Sequence, residues 1–248
     1  MADRFTRPNR APVLTFLRMI WYFQDLAENP EVLLIYLAAT AVAIFTGLAF
    51  HEFSHAWAAN ELGDDTAARA GRLTLNPMAH LDPIGSALVL LFGFGWAKPT
   101  PVNPWRLRGG PRRGNAIVAF AGPASNFFFA ALAALPLKMG LVETRFGSIE
   151  NIIQLGSGED FLWLFLFFII SINILLGIFN LIPIAPLDGF KVAVGILPRE
   201  AARGLERIEP YGPGILMALI AIGFIAPELS PLRWLISLVY DDIFNLIL

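Results

Sequence analysis

Two histidines and a glutamate stand together at His51, Glu52 and His55, in the stretch FHEFSHAW. Residues four apart in a helix share a face, so the two imidazoles point the same way and can hold one metal ion. Glu52 is turned from His51 by about 100° on such a helix, which aims its carboxylate at a water rather than at the metal. This is the H-E-x-x-H arrangement of two imidazole ligands and a general base. The alternative is a pair of histidines hydrogen-bonded inside a bundle. The uncharged run VLLIYLAATAVAIFTGLAF at 32–50, directly before them, weighs against it. Ionisable side chains at membrane depth are costly and tend to be functional.

The chain has no cysteine, so any metal must use imidazole and carboxylate. Catalytic zinc commonly takes three protein ligands and leaves one position open. The remaining acids and His80 are the candidates for the third. Asp188 stands out among them, because it closes the stretch NLIPIAPLD (180–188). Pro183 and Pro186 lack an N–H and obstruct the helical turn before them. Unwound backbone at membrane depth is tolerated where it is buried or lines a water-filled cavity.

The elements that must position these groups are membrane spans. Of 248 residues, 56% are hydrophobic and 15% charged, with a mean hydropathy of +0.61. Soluble domains rarely run so apolar. The composition predicts an all-α polytopic membrane protein, a bundle of about 4–6 transmembrane helices in the bilayer. A net charge of −2 gives no reason to expect nucleic acid as a partner. Span A is expected from 32, with helix continuing to about Asn60, and is stopped by Gly63. Span B runs from about Asn115 to Leu137, and span C from about Phe161 to Ala185. Span D covers about Gly214 to Phe224. Residues 232–248 form a further span or an interfacial helix. Between A and B, the apolar run 84–97 is short for a crossing and reads as a re-entrant segment. The proline-rich stretch KPTPVNP (98–104) must be extended. Residues 11–28 mix apolar side chains with Arg18, Gln24 and Asp25, which suits an interfacial helix. The expected organisation is an interfacial segment 1–30, a core 31–195 and membrane helices in 196–248.

Loop charge orients the bundle. Residues 64–113 carry seven Lys or Arg against three acids, and 138–160 carry two against four. Residues 188–212, read as a loop, add four more basic residues. The positive-inside rule places 64–113 and 188–212 in the cytoplasm and 138–160 outside. His51 and Asp188 meet only if A and C run parallel. That needs an odd number of crossings between them; B is one, so 84–97 must not cross.

HEFSH at the end of a span, then AGPASN (121–126), then NLIPIAPLDG together resemble the site-2 protease family of intramembrane zinc metalloproteases. GRLTLNPMAHLDPIG (71–85) and GFGWAKPTPVNP (93–104) are similar to its small prokaryotic subgroup without PDZ or CBS domains. The resemblance covers about residues 45–195. It implies zinc held by His51, His55 and Asp188, with Glu52 as base. It implies that Asn180 binds substrate backbone or the oxyanion. The implied substrate is a transmembrane protein or peptide, cut near the cytoplasmic face of the cell membrane. Asn126 is either an interhelical hydrogen-bonding group or a second site asparagine. His80 either caps the site, serves as an alternative ligand, or is a turn histidine. Lys98 to Asn103 either presents an edge to an unwound substrate or is a structural turn. The competing classes are a membrane metal transporter, which would spread its ligands along a path, and an inactive scaffold, which would be expected to have lost Glu52 or a ligand.

Overall fold

The computed structural model describes residues 30–85, 97–142 and 158–248. Helix α1, Pro30–Glu61, is hydrophobic on all sides along its first five turns. That pattern belongs to a helix inside a bilayer or a large core. Its buried face is a row at four-residue spacing: Ala39, Ala43, Gly47, His51, His55 and Ala59. Small side chains let neighbouring helices come close, and the same row then continues with the two imidazoles. A Cβ on Gly47 would lie 3.0 Å from Asn173 Oδ1 and 3.4 Å from Asn126 Nδ2. Gly63, with φ +99°, ends the helical run, as the sequence led us to expect.

After α1 come a single turn, α2 (Thr66–Arg69), and two 3-10 turns, Pro77–Ala79 and Pro104–Arg106. Helix α3 is Gly110–Lys138, and α4 is Gly158–Asn180. The chain then forms α5 (Asp188–Ile196), α6 (Arg199–Ile208), α7 (Gly212–Ile225) and α8 (Pro231–Ile247). Among the described residues, four helical stretches are long and apolar enough to cross a membrane: Leu33–Glu61, Gly110–Lys138, Phe161–Asn180 and Arg199–Ile225. The protein is therefore an all-α, multi-pass membrane protein. Helix α3 sits at the centre, against α1, α4 and α5, and α8 packs on α4. The core between them holds Ala130 and Ala134 of α3, Phe167, Phe168 and Ile174 of α4, and Ile236 and Phe244 of α8. Phe45, Phe120, Phe128 and Leu132 are exposed on the outside. An apolar exterior of that extent suits lipid rather than water.

Two expectations differ from the structure. Residues 188–212 are not a loop but carry α5 and α6. Both are short, and α6 is rich in charge with Ala202 as its buried residue, so its composition resembles that of a loop. Span C ends at Asn180 rather than Ala185, three residues before Pro183. The interfacial segment 11–28, most of the re-entrant run 84–97, and most of the outer loop 138–160 lie outside the described residues.

The stretch from Ala97 to Asn103 is extended and held at both ends. Ala97 bridges Leu81 in antiparallel fashion, and the Lys98 N–H donates to the His80 carbonyl at 2.7 Å. The Arg72 guanidinium donates to the carbonyls of Ala79 and Lys98. At the far end the Asn103 N–H donates to Asp64 Oδ2 at 2.6 Å. Asp64 also accepts from the Thr66 hydroxyl and N–H. Burial alone would raise the Asp64 carboxyl. The bonds from Thr66 and Asn103, with Arg106 nearby, outweigh it and hold the group below its ordinary value. A lowered folded pKa contributes stability above the unfolded value, near 4, and loses it as pH falls through the folded value. Asp64→Ala should therefore lower stability at neutral pH by about 1.5–3 kcal/mol, the worth of a hydrogen bond to a charged group. The deficit should shrink only below about pH 4. Thermal unfolding of both proteins across pH tests this, and a deficit that stayed constant into strong acid would refute it.

Candidate active site

One turn of α1 sets the imidazoles of His51 and His55 side by side, with ring centroids 4.6 Å apart. Asp188 is the first residue of α5, just beyond the proline-bearing corner that follows α4. The corner is tight, since a Cβ on Gly189 would lie 2.2 Å from the Leu181 carbonyl. It delivers Asp188 Oδ2 to 3.0 Å from His51 Nε2 and 3.1 Å from His55 Nε2. All three residues are buried.

The far side of each imidazole fixes its tautomer. His55 Nδ1 faces the Val118 carbonyl at 2.7 Å, which can only accept, so Nδ1 carries the proton. His51 is set by a longer chain of bonds. Asn173 Nδ2 donates to the Ile169 carbonyl at 2.9 Å, which leaves Asn173 Oδ1 as an acceptor. Asn126 Nδ2 donates to that oxygen at 3.2 Å and to the Gly47 carbonyl at 3.3 Å. Asn126 Oδ1 is then the atom 2.7 Å from His51 Nδ1, and it takes the proton there. In the neutral rings both Nε2 atoms then bear lone pairs aimed at a carboxylate oxygen. Such a set of acceptors is held together by a cation or a proton between them. Imidazole and carboxylate together are zinc donors, and a hydrogen bond from Nδ1 to a carbonyl or carboxylate usually accompanies a metal-bound histidine.

The space for that cation is kept open by Gly122 of α3. A Cβ there would lie 2.5 Å from His55 Nε2 and 2.6 Å from His51 Nε2. The donor set, the tautomers and this cradle all fit zinc. His51, His55 and Asp188 are the one group of three metal-ligating side chains found close together among the described residues.

Glu52 lies beside the group, also buried. Its Oε2 accepts the Thr100 N–H at 2.9 Å and the Thr100 hydroxyl at 2.7 Å. His80 stands apart from the cluster. It is fully buried under its own loop rather than on the surface, and its Nε2 pairs with the Thr74 carbonyl at 2.8 Å. Asn180 ends α4 and donates to the Leu176 carbonyl of its own helix at 3.0 Å.

A family description places this geometry. The one for peptidase family M50 matches residues 39–222. The chain belongs to peptidase family M50. That is the site-2 protease family, whose members are zinc metalloproteases, and the match runs beyond the 45–195 covered by the motifs. The chain is 37% identical over 205 residues to a Bacillus subtilis (strain 168) protein named "Putative zinc metalloprotease YwhC", covering 83% of this chain and 87% of that one. It is 29% identical over 198 residues to "Putative zinc metalloprotease Rip2" of Mycolicibacterium smegmatis, covering 78% of this chain and 68% of that one. No solved structure matches it.

Sequence reasoning missed Thr100, Asn173 and Gly122 as parts of this M50 site. Asn173 had a signal, being an amide in the otherwise apolar run FLWLFLFFIISINILLGIF. The bonds of Asn126 generate a prediction. Asn126→Leu should weaken zinc binding by about 10–100-fold, the usual effect of losing the group that holds a ligand histidine's outer N–H, while the helical fold persists. Zinc titration against a competing chelator measures it, and wild-type affinity in the variant would show that Asn126 only joins helices.

Proposed function

We propose that His51, His55 and Asp188 hold the catalytic zinc and that Glu52 is the general base. On this reading the protein hydrolyses a peptide bond within or near a transmembrane segment of a membrane-protein substrate, toward the cytoplasmic face of the cell membrane. The observation that carries it is the convergence of two Nε2 atoms and Asp188 Oδ2 at 3.0 and 3.1 Å, with a glutamate carboxylate next in sequence to one of them.

Zinc at this point supplies Lewis acidity, making a water nucleophilic near neutral pH and polarising the scissile carbonyl. The rest is work for the chain. His51 and His55 keep their Nε2 lone pairs inward because Asn126 and Val118 hold the Nδ1 protons. Asp188 brings the negative charge that balances a cation in a low-dielectric site. Glu52 takes a proton from the attacking water and returns it to the leaving amine. Asn180, anchored through one amide proton, has a second with which to bind substrate backbone or the developing oxyanion. The extended stretch 98–103 lies against Glu52 and suits pairing with an unwound substrate strand. The bilayer holds enzyme and substrate together, and the basic 64–113 region gives water a cytoplasmic approach.

Metal analysis of the detergent-purified protein tests this directly. Wild type should carry about one zinc, as a three-ligand catalytic site does. Asp188→Ala should lose it and His80→Ala should keep it. Glu52→Gln should keep the metal and abolish cleavage of transmembrane reporters. Zinc that survives loss of Asp188 and depends on His80 would overturn the ligand assignment.

A further inference from the structure

We propose that Thr100 is the positioning residue for the Glu52 carboxylate. The inference rests on Glu52 acting as the base and adds how that base is aimed. Both donors of Thr100 converge on one oxygen: the N–H lies 2.9 Å and the hydroxyl 2.7 Å from Glu52 Oε2. The same hydroxyl lies 3.1 Å from the Glu52 carbonyl oxygen, which keeps it over the start of that side chain. Pro99 and Pro101 flank Thr100 and have no N–H of their own. They also bias the stretch to extended backbone, so the Thr100 donors face one way.

The stretch that carries Thr100 is itself anchored. The Lys98 N–H is held by the His80 carbonyl, the Lys98 carbonyl by Arg72, and the Asn103 N–H by Asp64. Thr100 is therefore a fixed pair of donors rather than a mobile loop contact. A glutamate on a helix has three rotatable bonds and, left free, would sample positions away from the water it must deprotonate. Clamping Oε2 removes that freedom, as preorganised sites require. It also divides the labour between the two oxygens. Oε2 already accepts from the N–H and the hydroxyl, which leaves Oε1 to receive the proton. Substrate that pairs with residues 98–103 then meets a base attached to the very strand it lies along.

The test uses zinc-loaded full-length protein in detergent. Thr100→Val keeps the N–H and the branched shape but removes the hydroxyl, and Thr100→Ser keeps the hydroxyl. The probe is a single-span reporter helix with a helix-destabilising pair near its cytoplasmic end, chosen because wild type cleaves it. A second readout needs no turnover. The infrared difference between each protein and its Glu52→Gln counterpart isolates the Glu52 carboxylate stretch. Thr100→Val should lower kcat about tenfold, the effect of losing one hydrogen bond to a charged group. KM and zinc content should stay within about twofold, the carboxylate band should move, and Thr100→Ser should restore both. An unmoved band, or kcat within about twofold of wild type, overturns the proposal. So does a loss of kcat that Thr100→Ser shares or that follows loss of zinc, since a merely structural tether behaves that way. Failure of the protease reading itself looks different: wild type without zinc, or reporter cleavage that survives Glu52→Gln.

Discussion

Everything else in this structure is arranged around three lone pairs brought to one point inside an apolar bundle. Two imidazole nitrogens, at 3.0 and 3.1 Å from one carboxylate oxygen, repel it unless a cation or a proton joins them. In water that arrangement would relax. Here the backbone forbids it. His51 and His55 are one turn apart on a helix that cannot unwind in lipid, and Asp188 begins a second helix after a corner packed too tightly to shift. The requirement that the ends of α1 and α4 reach the same depth follows from this contact. It requires A and C to run parallel, and among the described residues α3 is the one helix between them long and apolar enough to cross.

The small residues serve the same constraint. Helix packing in membranes gains little from hydrophobic burial and depends on close approach. The row Ala39, Ala43 and Gly47 lets α1 lie near α3 and α4, and Gly122 lets α3 lie against the imidazoles themselves. Gly195 does the same for α5, where a Cβ would lie 2.2 Å from the Ala116 Cβ. Arg112, in the first turn of α3, donates to the carbonyls of Val194 and Leu197 and ties down the end of the helix that Asp188 begins. The metal donors are therefore set at backbone distance, with few flexible side chains between them.

How much of this was legible depends on the range of the interaction. His51, Glu52 and His55 were legible because one helical turn relates them, and helical spacing can be read along a chain. Asp188 was legible because Pro183 and Pro186 mark a broken helix with a carboxylate beside it. Thr100 was not, since its partner lies 48 positions away and an extended stretch carries no periodicity that points to it. The helices of 188–208 were hidden for another reason. Short helices have too few turns to show a clear period, and α6 adds the charge content of a loop; what holds them is packing, of α5 against α3 and of α6 against α5. The burial of His80 likewise comes from a tertiary contact, the return of Lys98 over its carbonyl.

The asparagines show what the polar interior is for. Asn126 and Asn173 sit fully buried among apolar side chains, where each unpaired amide group would cost about 1–3 kcal/mol. A leucine pair would pack as well and remove that risk, so bundle stability alone does not explain them. Their bonds run in a fixed direction, from the Ile169 carbonyl through two amides to His51 Nδ1. Each amide is oriented by the acceptor before it, and the chain starts at a backbone carbonyl that has no choice of role. A fully satisfied network of this kind specifies one arrangement of its members. What it specifies here is which nitrogen of His51 is free to bind a metal. A hydrogen bond in the middle of α4 is thus converted into the tautomer of an imidazole on α1. Only helices held this close could transmit it.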